Sequence, residues 1–139
     1  MVLETTFDGA ALLVGRALIG LVIGFMGLNH FTAIDQMAGY AATKGVPAPR
    51  LAVVGSGLLL VLGGLTIVLG VYPLVGAVAL IAFFVGVTPV MHDFWTVDDP
   101  EQRQNEMINF LKNGALLGAS LVILAIAGAS WPYALDLGL

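Results

Sequence analysis

Polar residues along this chain gather into short intervals, and between them run four apolar stretches, roughly Ala10–Asn29, Leu51–Val71, Leu74–Met91 and Met107–Ala129. A bilayer-crossing helix needs about 20 mostly apolar residues, and each stretch reaches or nearly reaches that length. The pattern predicts an all-α membrane protein, an antiparallel bundle of four transmembrane helices. It forms one domain over residues 1–139, with spans near 10–30, 51–71, 74–91 and 107–129. After the first span, Thr32–Thr43 sets Ile34, Met37, Ala38 and Tyr40 among polar residues, which predicts a short amphipathic helix at the interface. Gly45, Pro47 and Pro49 end that element. Tyr72–Pro73 leaves room only for a tight turn between antiparallel neighbours, and Pro89 predicts a kink late in the third span.

The fourth span carries the clearest start signal, with Asp99 as N-cap, Pro100 at the first helical position and Gln102 as capping partner. At about 100° per residue, Asn105, Glu106, Asn109, Lys112, Asn113 and Ser120 then fall in one stripe. Such a stripe faces the bundle, a water-filled funnel or a partner, because unpaired polar groups in lipid cost several kcal/mol each. Glycines mark the close approaches. Gly20 and Gly24 predict packing inside the bundle, Gly63–Gly64 close backbone contact or a local irregularity, and Gly114 and Gly118 a tight helix contact beside the polar stripe.

Composition narrows the setting. Apolar residues make up 59% of the chain and charged ones 10%, against about 25% charged in a typical soluble domain. With mean hydropathy at +1.00, so short a chain has more apolar surface than a soluble core would bury. No positively charged segment precedes the first stretch, which exceeds the apolar length of a signal peptide, so it is expected to remain as a span. The absence of cysteine excludes disulfides, iron–sulfur clusters and any mechanism through a Cys pair. A formal charge of −4 gives no reason to expect nucleic acid, nor, with five Lys and Arg residues, strong attraction to anionic lipid. Lys44, Arg50, Arg103 and Lys112 flank the loops on one side, with Arg16 alone toward the other. The positive-inside rule therefore places those loops in the cytoplasm and both termini outside.

With an even number of crossings, His30, His92, Asp93, Asn109, Lys112 and Asn113 converge on one membrane face, and with Asn29 and Trp95 they form the candidate ligand-binding set. Lys112 has two readings: a side chain that snorkels to the interface, or one held by Asp93 or Glu106 with Asn109 and Asn113 satisfying its other donors. The two histidines could form interfacial hydrogen bonds, ligate a b-type haem, or bind a metal with Asp93 and Glu106. No His-x₃-His or Glu-x₂-His spacing supports a dedicated site, so no metal is assigned. Trp95 also suits the aromatic belt. Arg16 and Glu106 are charge candidates; Arg16 is expected to snorkel, with Glu4, Asp8, lipid phosphate or backbone carbonyls as its partners.

The segments GRALIGLVIGFMGLNHF at 15–31, KGVP at 44–47, LGGL at 62–65, HDFW at 92–95 and NFLKNGALLGA at 109–119 together resemble the DoxX family of small four-helix membrane proteins. The resemblance punctuates nearly the whole chain, and HDFW followed by NFLKN is its most specific part. It implies an integral protein of a prokaryotic cytoplasmic membrane, linked in some relatives to quinone-dependent redox complexes and in animal relatives to chaperone or cargo-receptor roles. On that footing the expected activity is that of an accessory subunit of a redox complex, binding a quinone or lipid head group at one membrane face. His30 or His92 would hydrogen-bond a carbonyl oxygen, Lys112 would stabilise negative charge, Asp93 would orient a histidine, and Phe31, Phe94, Trp95 and Phe110 would flank the ring. Nothing in the chain supplies an electron donor, so no catalytic residue is assigned. The alternative is a non-enzymatic assembly factor or chaperone for client membrane proteins; a small channel or transporter, as a homo-oligomer, and a haem protein rank below it. In one respect the chain departs from the family pattern, because many relatives carry a Glu close before the glycine pair where this chain has Leu60.

Overall fold

The structure, a computed structural model, describes residues 6–135. It contains five α-helices, α1 (Thr6–Thr32), α2 (Ile34–Thr43), α3 (Pro49–Leu69), α4 (Pro73–Met91) and α5 (Pro100–Ile126), with a single 3₁₀ turn at Phe94–Thr96 before α5. All but α2 are long and apolar enough to cross a membrane. Proline opens α3, α4 and α5 at the position where its missing N–H costs nothing. For α5 the expected cap is present, Asp99 Oδ2 accepting from the Gln102 N–H at 2.8 Å. At 27 residues, α5 spans about 40 Å against about 30 Å of hydrocarbon, so its polar first turns extend beyond the bilayer. Gly70 and Tyr72, both left-handed, compress the α3–α4 turn. α4 runs through Pro89 and ends one half-turn later.

Glycine sets the packing of α1 on α3. A Cβ on Gly64 would lie 2.5 Å from the Gly20 carbonyl and 2.9 Å from the Gly24 nitrogen, and one on Gly27 would lie 2.8 Å from the Val61 nitrogen. The pairing of residue 20 with 64 and 27 with 61 makes the two helices antiparallel. One residue earlier, Gly63 faces the other way, toward Leu80 and the Gly76 carbonyl of α4. The glycine pair thus serves two neighbours at once, and α3 continues through it unbroken. Ile23, Leu60, Ile67, Leu80, Phe84 and Ile123 interlock as the core, while Leu18, Leu21, Phe25, Leu62 and Val122 point outward, where lipid is the natural solvent.

The main helix contacts run α1 with α3, α3 with α4 and α4 with α5, while side chains of α1 and α5, Ile23 and Ile123 among them, share one core. Gly114 and Gly118 of α5, expected to make a tight contact, have nothing within 4 Å of where a Cβ would stand. Arg16 also departs from expectation. It does not snorkel: it is 2% exposed, its Nη2 donating to the Tyr133 carbonyl at 2.5 Å and its guanidinium 5.7 Å from the Trp131 ring centre. Of the partners expected for it, a backbone carbonyl is the one seen; Glu4 lies outside the described residues. The guanidinium approaches Gly70, at the end of α3 whose partial negative charge favours a cation, while its Nε and Nη1 make no hydrogen bond among the described residues.

Candidate functional site

Helix α2 earns its position from alternating surfaces: Ala38 and Ala41 are buried, packing the helix against α3, while Asp35, Gln36 and Gly39 stay exposed. Its far end is tied down by polar contacts. The Tyr40 hydroxyl is 3.1 Å from Glu106 Oε1 and 3.3 Å from the Met91 carbonyl, two acceptors for one proton. Glu106 Oε2 accepts from His92 Nδ1 at 2.7 Å, a contact that requires the proton on Nδ1 when the carboxylate is ionised. Lys44, just past α2, forms an ion pair with Asp93, whose second oxygen accepts from Thr96 Oγ1 at 2.9 Å. The bond to Asp93 holds the Lys44 ammonium above its ordinary pKa against a smaller opposing effect of burial. Burial, reinforced by the hydrogen bond to Glu106, raises the Tyr40 phenol likewise. Together these groups latch α2 to the end of α4 and the start of α5.

Behind the latch lies a cavity of about 1210 Å³, walled by α1, α2, α3, α4 and α5. Val22, Met26, Met37, Val53, Phe83, Val87 and Leu116 supply an apolar lining. Polar groups join the lining from several elements: Asn109, Lys112 and Asn113 of α5, His30 of α1, Gln36 and Tyr40 of α2, Lys44 just past it, Ser56 of α3 and His92 at the end of α4. His30 Nδ1 lies 2.8 Å from the Met26 carbonyl. A carbonyl only accepts, so Nδ1 carries a proton and Nε2 of the neutral ring is left as an acceptor.

The convergence expected from the sequence is present for His30, His92, Asn109, Lys112 and Asn113, which all line this cavity. Other parts of the expected site are rearranged. Lys112 is not held by Asp93 or Glu106, because Asp93 is taken by Lys44 and Glu106 by His92 and Tyr40. The residue that orients a histidine is Glu106 rather than Asp93. Trp95, Phe94 and Phe110 stack edge-to-face on one another in a cluster apart from the cavity lining, and Phe31 packs over Gly57; the wall instead carries Tyr40 and Phe83, the latter edge-on to His30. Asn29 is exposed and lends only its carbonyl, to Thr32 and Ala33. Tyr40 and Lys44 were absent from the expected set. A tyrosine on the apolar face of α2 and a lysine at its end, on the same membrane side as Asp93, were the available signals. Among the described residues no three His, Asp or Glu side chains gather as a metal site.

Comparison with known proteins agrees with this architecture. The DoxX family model matches residues 11–93, more than half of the chain. The chain is similar to an inner membrane protein of Escherichia coli (strain K12), YphA, 32% identical over 117 residues that cover 84% of this chain and 82% of the relative. No solved structure matches it. Four apolar helices, the motifs at their ends and these two similarities lead to one assignment: the chain is an integral membrane protein and belongs to the DoxX family.

Proposed function

We propose that this protein binds an amphiphile inside the bilayer, taking a quinone or lipid head group into the cavity beneath α2 as an accessory to a membrane redox complex. One observation carries the reading: a space of about 1210 Å³, apolar over most of its wall, is lined by Asn109, Lys112 and Asn113, whose side chains have no hydrogen-bond or ion-pair partner among the described residues. Small-molecule sites occupy about 300–1,000 Å³ and pair apolar walls with a few placed polar groups, so this one suits a head group with part of a tail. Lys112 and the two amides fit the carbonyl oxygens of a quinone as donors, and Phe83 offers an aromatic face or edge. A bound quinone would supply the redox chemistry; the residues here bind and orient it, and electrons would come from a partner. The face carrying α2 is assigned to the cytoplasm of a prokaryotic cell on the distribution of Lys44, Arg50, Arg103 and Lys112.

Native mass spectrometry of protein released from mild detergent tests the reading. A bound quinone or lipid mass is expected, and it should be lost from Gly86→Phe. Gly86 lines the cavity with nothing within 4 Å of a Cβ, so a phenyl ring there fills space without disturbing the latch. Bare protein from both would contradict it. A second reading, an assembly factor for other membrane proteins, is favoured by the uncovered Gly114 and Gly118 of α5. It expects a copurifying polypeptide lost on Gly114→Leu and kept in Gly86→Phe.

A further inference from the structure

Asn113 is 8% exposed, lines the cavity and makes no hydrogen bond among the described residues. Its amide atoms are not enclosed by protein and so are open to a ligand in the cavity. One residue before it, Lys112 is exposed at the cavity wall and has no carboxylate within 4 Å among the described residues. Asn109 precedes the two by three and four positions, which sets all three side chains on one helix face. Every nearby carboxylate is already engaged. Asp93 is held by Lys44 and Thr96, and Glu106 by Tyr40 and His92. The cavity thus carries one uncompensated cation with two amide donors beside it and no free anion to neutralise it.

We infer that the occupant is anionic at its head: an amphiphile bearing a carboxylate or phosphate, bound by the Lys112 ammonium and the Asn109 and Asn113 amides. An ionised oxygen accepts from all three groups, and charge-assisted bonds are about twice as strong as neutral ones. The tail lies along the apolar wall formed by Val22, Met26, Val87 and Leu116. This is recognition by one set of placed donors, distinct from the attraction of a polybasic surface to anionic bilayers, which an acidic chain of net charge −4 does not favour. It rests on the amphiphile-binding reading and narrows it, since a neutral quinone satisfies the amides and leaves Lys112 uncompensated.

The test is a native mass spectrometry titration of the full chain in a neutral detergent. The probes are oleate, dioleoyl phosphatidylglycerol, dioleoyl phosphatidylcholine, decylubiquinone and inorganic phosphate. Oleate or phosphatidylglycerol should bind at one copy per chain and outcompete phosphatidylcholine and the quinone, with inorganic phosphate too weak to displace them. Lys112→Gln should weaken that binding by about tenfold or more, and Lys112→Arg should keep it; Lys112 has no internal partner to lose, so both variants should fold, with circular dichroism as the check. Asn113→Leu should weaken it without removing the preference for a charged head. Quinone binding at least as tight as either anion, or anion binding unchanged in Lys112→Gln, overturns the anionic assignment and leaves the amphiphile reading standing. Binding of none of the probes overturns both, and displacement by inorganic phosphate alone overturns the lipid as source of the anion.

Discussion

At the scale of single residues, Glu106 and Arg16 show how differently one type of group, a charge near a membrane, can be used. Glu106 accepts from His92 and Tyr40, and hydrogen bonds to a charged group contribute about 1.5–3 kcal/mol each. Glu106→Ala is expected to lower stability by roughly 2 kcal/mol or more and to free α2, read as a lower unfolding midpoint in detergent. Asp35→Asn removes an ion pair to Arg50 whose partners are both largely exposed, so its effect should stay within about 1 kcal/mol. Sequence reasoning found Glu106 as a charge on the α5 stripe but not its partners, because pairing depends on where α2 folds back. It also misplaced Arg16. A residue one turn inside a helix looks able to reach water, yet the segment around Trp131 and Tyr133 folds over it. Nothing local in the sequence marks that return.

At the scale of elements, glycine spacing was readable and its geometry was not. Gly20, Gly24 and Gly63–Gly64 signal close helices, but only the structure separates Gly64, whose missing Cβ touches α1 backbone, from Gly24, which has open space. Gly64→Ala is expected to destabilise by about 1–3 kcal/mol through overpacking. Gly24→Ala should be neutral or stabilising by up to about 1 kcal/mol, from helix propensity. Steric trapping or denaturation in detergent distinguishes them. The α2 latch has a pH dependence of definite sign. Lys44 and Tyr40 both have raised pKa values in the folded protein, so their contribution is complete below their unfolded values, near 10, and is lost as pH rises through the folded ones. With no cysteine in the chain, a spin label at Ala42→Cys, an exposed position on α2, reports the latch alone. Its spectrum should stay broad from neutral pH to about 9 and sharpen above about 10.

At the scale of the whole molecule, hydropathy and helix-start signals predicted the four spans, the interfacial helix and the side on which polar residues gather. Those features depend on short stretches of chain. The order of helix contacts, the cavity and the exclusion of Phe94, Trp95 and Phe110 from it depend on which helices meet, which periodicity does not encode. The departure from the family pattern at Leu60 also gains meaning here. That side chain is fully buried in the core, and Arg16 has one carbonyl of the returning C-terminal segment as acceptor, with Nε and Nη1 unpartnered among the described residues. The account stands on the cavity being an occupied binding site within the bilayer. The most direct test is the mass of the intact protein ejected from native membranes, without added ligand, compared with Gly86→Phe ejected in the same way. An adduct of amphiphile mass, one per chain, present in the first and missing from the second, is the expected result. Equal adducts on both proteins, or none on either, would contradict the account.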